Sequence, residues 1–363
     1  MAIAGTPGGA RVPAAAGGGD RRQAPGMPEG RERLATSNGS VAVPEAAVMP
    51  ASGESDVGRY RHDGLFWRRL AYRGAQRGPE WWKRTSPAAV AAIVYALVGQ
   101  NRTGVKRNLG RVLGARGGLA DGRAALRTFV EFAYCMTETL EFLSPNAREV
   151  RVDQSAEVER FALLPPERGV VVLTSHFGTW EIAARLMQRF GRPVNVVMAR
   201  EANPSVEAFQ TSLRESYGLR VIHSDSSPFA SLNMVQALRR GEVVAIQMDR
   251  SGPGQVTRPV EFFGAPASFQ YGPFALARVA EVPLWPVFAV RRAPRHYQIL
   301  AEPLRMIARD ASETETLAVM RDVVRSFENH VRAHPHQWFQ FKPFWDSSES
   351  AAEARSAQPV REG

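Results

Sequence analysis

From residue 170 onward, short apolar runs alternate with longer amphipathic stretches. Residues 170–173, 194–199, 219–223 and 243–248 are runs rich in Val, Ile and Leu, the pattern of strands buried on both faces. Between them, residues 182–190, 203–217 and 229–240 carry apolar side chains at helical spacing. Asn203 and Pro204 open the second of these predicted helices, and Gly218 and Gly241 close the second and third. Alternation of this kind builds βαβ units, so the expected fold is α/β, a mainly parallel central sheet flanked by helices.

The pattern continues on both sides. Downstream, residues 249–254 read as a loop, 274–280 as a helix introduced by Tyr271-Gly272-Pro273, 282–290 as a strand, and 297–300 as its antiparallel neighbour. Residues 313–334 form a long amphipathic helix ended by Pro335. Upstream, 124–143 is a buried helix on which Thr137, Glu138, Thr139 and Glu141 read as a polar flank, and 150–160 is an extended or connecting piece. Ser86 and Pro87 suit the N-cap and first position of a helix over 88–98, with Gly99 at its end. That apolar run is shorter than the roughly 20 residues of a membrane span. It follows Leu65, Phe66, Trp67, Leu70, Tyr72, Trp81 and Trp82 interleaved with arginines, which suits an interfacial helix on a membrane surface; packing on the core is the plainer alternative.

Residues 1–57 are rich in Gly, Pro, Ala and Ser, without periodicity or the apolar core of a secretory signal, and are expected to be a disordered leader. Four segments result: the leader 1–57, a basic aromatic segment 58–110 that associates with membrane, the main domain 111–346, and a disordered tail 347–363.

Composition narrows the chemistry. The 363-residue chain is 44% hydrophobic and carries a formal charge of +10, nearly all of its cations being arginine. Such a surface attracts anions: membrane lipid, an acidic protein, a phosphorylated substrate or nucleic acid. No nucleic-acid module accompanies the charge, so nucleic acid is not an expected partner. Cys135 is alone and lies in an apolar helical stretch; it reads as a core thiol, and a reducing compartment is the simpler setting. His-Glu-x-x-His and Walker-type motifs are absent, and no metal or cofactor is expected. His223 reads as a strand end, and His330, His334 and His336 as cations at the end of the last helix.

One junction carries the candidate chemistry. The strand at 170–173 runs into Thr174-Ser175-His176-Phe177-Gly178-Thr179-Trp180-Glu181, a strand, a polar turn and a helix start, where open α/β folds place their sites. With His176 in the turn and Glu181 in the first helical turn, the carboxylate would fix the imidazole tautomer while the other ring nitrogen removes a proton from a hydroxyl. Gly178 would let backbone or substrate approach closely, and helix-start amides would stabilise an oxyanion or bind phosphate. Ser175 lies in no G-x-S-x-G elbow and is not a nucleophile.

The wording of this stretch resembles the HX4(D/E) motif of the glycerolipid acyltransferase superfamily, and more closely the SxHxGxWE form of the bacterial lipid A late (lauroyl/myristoyl) acyltransferases. Further segments match in order: Arg107-Asn108-Leu109; Ala199-Arg200-Glu201 with Asn203-Pro204; Gln247-Met248-Asp249-Arg250; Phe262-Phe263-Gly264; and Pro335-His336-Gln337-Trp338 before Phe344-Trp345. The resemblance spans roughly residues 60–345. Two segments depart from common forms: Ala199-Arg200-Glu201 stands where many relatives have NRK, and Met248-Asp249-Arg250 where many have DQD. Those departures bear on the acceptor rather than on the reaction type.

The resemblance implies an O-acyltransferase at the cytoplasmic face of the inner membrane, peripheral or monotopic, acting in lipid A or related lipopolysaccharide biosynthesis. His176 would deprotonate a hydroxyl of a membrane glycolipid, such as a lipid A precursor, with Glu181 orienting the ring. The hydroxyl would attack an acyl thioester on acyl carrier protein or coenzyme A. Arg200 and Arg250 are candidates for binding phosphate, with surface ion pairs as their alternative, and Asp249 for holding a loop or a basic partner. Two other classes compete: an esterase or thioesterase using the same pair on water, and a non-enzymatic lipid-binding protein.

Overall fold

The structure, a computed structural model, describes residues 10–12, 65–142, 149–201, 203–224, 228–252 and 254–345. In chain order, a short strand β1 (Ala10–Val12) is followed by helices α1 (Leu65–Arg77), α2 (Glu80–Leu97), α3 (Gly99–Leu113) and α4 (Gly118–Phe142). Then come β2 (Val150–Gln154), α5 (Ala156–Ala162), β3 (Val170–Thr174), α6 (Trp180–Gln188), β4 (Val194–Met198), α7 (Pro204–Glu215), β5 (Leu219–His223), α8 (Pro228–Arg239) and β6 (Val243–Gln247). A hairpin of β7 (Thr257–Phe262) and β8 (Ala265–Gln270) precedes α9 (Gly272–Ala280), β9 (Leu284–Ala293), β10 (His296–Ala301) and α10 (Glu313–Ala333).

Among the described residues the main sheet has the order β1-β2-β10-β9-β3-β6-β4-β5. Its heart, β9-β3-β6-β4-β5, is entirely parallel, as the alternating pattern predicts. β10 turns back antiparallel on β9, and β2 joins it in parallel. All five residues of β3 are buried, because helices cover both faces. One face packs Leu173, Ile246, Phe288 and Phe327 with α9, α10 and the hairpin; the other packs Val172, Ile182, Met187 and Trp285 with α5 and α6. A third core joins α2, α3 and α4 through Ala91, Val105, Leu109, Ala125 and Phe129.

Several expectations change. Residues 10–12, inside the segment expected to be disordered, add β1 antiparallel to the edge of β2; main-chain pairing to an open edge asks little of side chains. The rest of the leader and the tail lie outside the described residues. The helix expected from Ser86-Pro87 does not begin there. α2 starts at Glu80 and runs through Pro87, because Glu80 favours a first helical turn and is paired to Arg295 at 2.9 Å, which offsets the hydrogen bond that proline removes. Gly99 opens α3 rather than ending the preceding segment. Residues 257–270 form the β7–β8 hairpin, whose turn puts Phe263 (φ 51°) and Gly264 (φ 72°) in the left-handed region.

Helix α2 has one side packed on the protein and one apolar side exposed. Pro87 and Ala91 are buried against the helical core, while Trp81, Val90, Ile93 and Leu97 are exposed, Leu97 to 75%. Among the described residues, no helix is long and apolar enough to cross a membrane.

After α10, which a reciprocal Ser312–Glu315 capping box starts, the chain makes a 3-10 turn at Pro335–Gln337 and then runs extended under the C-terminal ends of β3 and β6. Asn108 of α3 stitches this terminal segment in place. Its amide nitrogen donates to the carbonyls of Gln340 and Lys342, both at 2.8 Å, and its oxygen accepts from the Phe344 amide at 3.0 Å. The Arg-Asn-Leu segment therefore owes its asparagine to a buried structural clip.

Candidate active site

Strand β3 delivers the loop 175–179 at its carboxyl end, and α6 begins at Trp180. His176 sits in this loop with its side chain 24% exposed, beside the fully buried carboxylate of Asp249 from the loop after β6. Because β3 and β6 are adjacent and in register, with Thr174 opposite Gln247, their loops meet directly. The Asp249 Oδ1 accepts two hydrogen bonds from His176, one from the backbone N–H and one from Nδ1, both at 2.9 Å. Nδ1 therefore carries a proton toward the carboxylate, and Nε2 is the ring nitrogen left to accept one. Burial would raise the Asp249 pKa, but the His176 ring, and then Arg250, outweigh it and hold the carboxyl below its ordinary value.

This corrects the expected pairing: Asp249, not Glu181, occupies Nδ1. Glu181 lies in the first turn of α6; burial raises its pKa, with the Arg214 charge of α7 opposing. Burial likewise lowers the Arg214 pKa, and Glu181, Glu207 and Glu201 oppose that shift. Arg214 also stacks over the Trp180 ring at 5.9 Å.

The amides of the loop before α6 are engaged within the protein. The amide of Phe177 donates to Ser175 O (2.7 Å), that of Gly178 to Gln337 O (2.8 Å), and that of Thr179 to Ala289 O (3.0 Å). Gly178 is indeed a point of close approach, but to backbone: at φ 58°, any Cβ there would collide with the Ala289 carbonyl of β9. Strand β9 and the terminal segment thus clamp the loop from two sides.

Arg250 is exposed beside Asp249 and donates to the Phe339 carbonyl, while its own carbonyl accepts from Gln270. Arg200 is exposed past the end of β4, which β6 separates from β3 in the sheet. Both arginines lie at the same edge of the sheet as His176, with Arg250 the nearer in topology.

The residues that sequence reasoning left without roles belong to the terminal segment. The Trp338 indole N–H donates to Asp249 Oδ2 at 3.1 Å, and the Gln340 amide donates to the Asp249 carbonyl at 3.0 Å. Phe339 N–H donates to His176 O at 2.8 Å. Gln337 acts as a short strand edge, its side chain accepting from Arg291 N (2.8 Å) and donating to Arg291 O (2.7 Å). The resemblance of Pro335-His336-Gln337-Trp338 to the family's terminal segment was the available signal.

The α4 carboxylates are likewise more than a polar flank. Arg291 pairs with Glu138 at 2.8 Å, Arg295 with Glu141 at 2.8 Å, and Lys83 with Glu141 at 3.1 Å; Tyr297 donates to Glu138. Their partners are remote in sequence, so local pattern could not find them. This network ties α2 and α4 to the β9–β10 hairpin. Cys135 lies buried behind it, its thiol pushed up to about 12 by desolvation, which makes it inert. Among the described residues no cluster of His, Cys, Asp or Glu is arranged to hold a metal ion.

Comparisons with known proteins agree with this architecture. The sequence profile of bacterial lipid A biosynthesis acyltransferases matches residues 72–347. Two relatives from Mycobacterium tuberculosis are each named phosphatidylinositol mannoside acyltransferase. The protein of strain H37Rv is 28% identical over 198 residues, covering 52% of this chain and 59% of that protein. The protein of strain CDC 1551 is 26% identical over 259 residues, covering 68% of this chain and 78% of that protein. The chain thus spans somewhat over half the length of the first and about three quarters of the second.

Proposed function

The chain belongs to the bacterial lipid A biosynthesis acyltransferase family, and on that premise we propose that it moves a fatty acyl chain from a thioester to a hydroxyl of a membrane glycolipid. The observation that carries this reading is the His176–Asp249 pair, a buried carboxylate holding Nδ1 of a part-exposed imidazole at the carboxyl end of a parallel strand. Nε2 takes the proton of the acceptor hydroxyl, and the oxygen attacks the thioester carbonyl. The carbon–sulfur bond breaks, and the imidazolium returns the proton to the leaving thiolate. Asp249 stabilises the imidazolium between those two transfers. No acyl-enzyme is required, and no metal or cofactor takes part in this scheme.

Glu181, in the first turn of α6 and not on Nδ1, is assigned to the acceptor side of the site. Arg250, and more peripherally Arg200, suit the phosphate of the donor arm or of the acceptor headgroup.

The lipid acceptor reaches the site at a membrane surface. Exposed Phe66 and Leu70 of α1 and Trp81, Trp82, Ile93 and Leu97 of α2, with Arg69, Arg73, Arg77 and Arg84 among them, support docking in the headgroup layer. The inner membrane, on its cytoplasmic face, is where acyl carrier protein or acyl-CoA meets such a lipid, and the +10 charge suits an acidic carrier protein. The names of the two relatives make mannosylated phosphatidylinositol an acceptor to set beside lipid A precursors.

The test uses labelled acyl-acyl carrier protein and acyl-CoA with each acceptor in vesicles, for the wild-type chain and His176→Ala. Acylated glycolipid from the wild type alone is expected. Equal product from His176→Ala refutes the mechanism, and free fatty acid without acylated lipid assigns the chain to the hydrolases.

A further inference from the structure

Asp249 has a third partner that the acyl-transfer scheme does not use. Its Oδ1 is committed to His176, but Oδ2 accepts the Trp338 indole N–H at 3.1 Å in a fully buried setting. The indole is itself immobilised. It is 3% exposed and packs edge-on against Phe344, Phe262 and Trp345 with ring centroids 5.1, 5.5 and 5.8 Å away. The residues on either side of it are hydrogen-bonded to the catalytic loop, Gln337 O to the Gly178 amide and the Phe339 amide to His176 O, both at 2.8 Å. The donor is therefore fixed relative to the same backbone that carries the histidine.

We propose that Trp338 is a positioning residue for the base: its indole N–H locks the Asp249 carboxylate so that Oδ1 stays on His176, and it draws charge from that carboxylate. A carboxylate free to rotate about its χ2 would trade the His176 contact for others; the indole removes that freedom. A carboxylate with one donor fewer also concentrates its charge on the remaining partner and holds an imidazolium more tightly. The charged and titratable groups facing Asp249 are His176, from the loop after β3, and Arg250, on its own loop. The terminal segment meets it with two neutral groups, the Trp338 indole and the Gln340 amide. Among the described residues, the indole contact to Oδ2 can be removed without changing the charge of the site.

The proposal rests on His176 being the base, and the experiment separates the two claims. The full chain is assayed for acyl transfer as wild type, Trp338→Phe, Phe344→Leu and His176→Ala, each across pH, with thermal melting alongside. Trp338→Phe is expected to lower kcat about tenfold, to leave KM for donor and acceptor within about twofold, and to move the acid limb of the profile upward by about half a pH unit. Phe344→Leu loosens the same aromatic cluster without touching a donor and is expected to leave the limb in place. An unmoved limb in Trp338→Phe, or an equal shift in Phe344→Leu, overturns the positioning role and leaves packing as the only role. If Trp338→Phe does not fold, benzothienylalanine incorporated at position 338 keeps the ring shape without the N–H and is read by the same criteria. Activity surviving in His176→Ala would instead refute the base assignment on which the proposal rests.

Discussion

Asp249→Asn separates the two carboxylates that could serve the histidine. The Asp249 side chain is fully buried, and its two oxygens accept three hydrogen bonds, two from His176 at 2.9 Å and one from Trp338 at 3.1 Å. An amide has one acceptor oxygen and one NH2 group. If the oxygen stays on His176, the NH2 faces the indole N–H, donor against donor. If the amide flips, the NH2 faces the ring, and Nδ1 must give up its proton to accept, which moves the proton to Nε2 and disables the base. Leaving a buried donor unsatisfied costs about 1–3 kcal/mol, and losing a charge-assisted bond to the imidazolium about 1.5–3 kcal/mol. The first is a stability cost carried equally by ground and transition states; the second places the loss of transition-state stabilisation at about 1.5–3 kcal/mol, a fall in kcat of about 10- to 10²-fold. The assay is single-turnover acyl transfer to glycolipid vesicles, with Glu181→Gln measured in parallel. Glu181→Gln is expected to act more on acceptor KM than on the chemical step. Near wild-type turnover in Asp249→Asn, together with a collapse in Glu181→Gln, would refute the geometry argued here and restore Glu181 as the partner of the base.

Other expectations follow from contacts away from the ring. Gly178→Ala places a Cβ into the Ala289 carbonyl at φ 58°; a destabilisation of about 3 kcal/mol, or roughly 6–10 °C in melting temperature, is expected by calorimetry. Cys135, with its thiol pushed up to about 12 by burial, should resist iodoacetamide at pH 8 in the folded chain and react only after denaturation; rapid native labelling would contradict its burial. The triple change Trp81→Glu, Ile93→Glu and Leu97→Glu alters residues that are 65%, 60% and 75% exposed. It should weaken partition onto anionic vesicles at least tenfold in a sedimentation assay while shifting the melting temperature by less than about 2 °C. Unchanged partition would remove α2 from the membrane contact.

The legible part of the fold was the part whose signal is local. The buried runs at β3, β4, β5 and β6 and the cap at Asn203 are written within a few residues of where they act, so strands, helices and a parallel sheet could be read directly. The start of α2 could not, because the Ser86-Pro87 cap signal is overruled by a pairing between Glu80 and Arg295 across 215 residues. The hairpin at β7–β8 was obscured because Phe263 takes a left-handed conformation that its residue type disfavours.

The candidate site divides in the same way. The sequence by itself determined that a histidine ends a buried strand at the carboxyl edge of a parallel sheet, with a glutamate at the following helix start. It also held the words Asp249-Arg250 and Gln337-Trp338, without saying that they meet. Tertiary structure alone decided which carboxylate serves the ring. Glu181 is close to His176 in sequence but, in the first turn of α6, is not on Nδ1, whereas Asp249 is 73 positions away and arrives because β6 lies beside β3. Strand neighbours in a parallel sheet are set by crossovers, and the pairing of two loops at their ends depends on that order rather than on spacing along the chain.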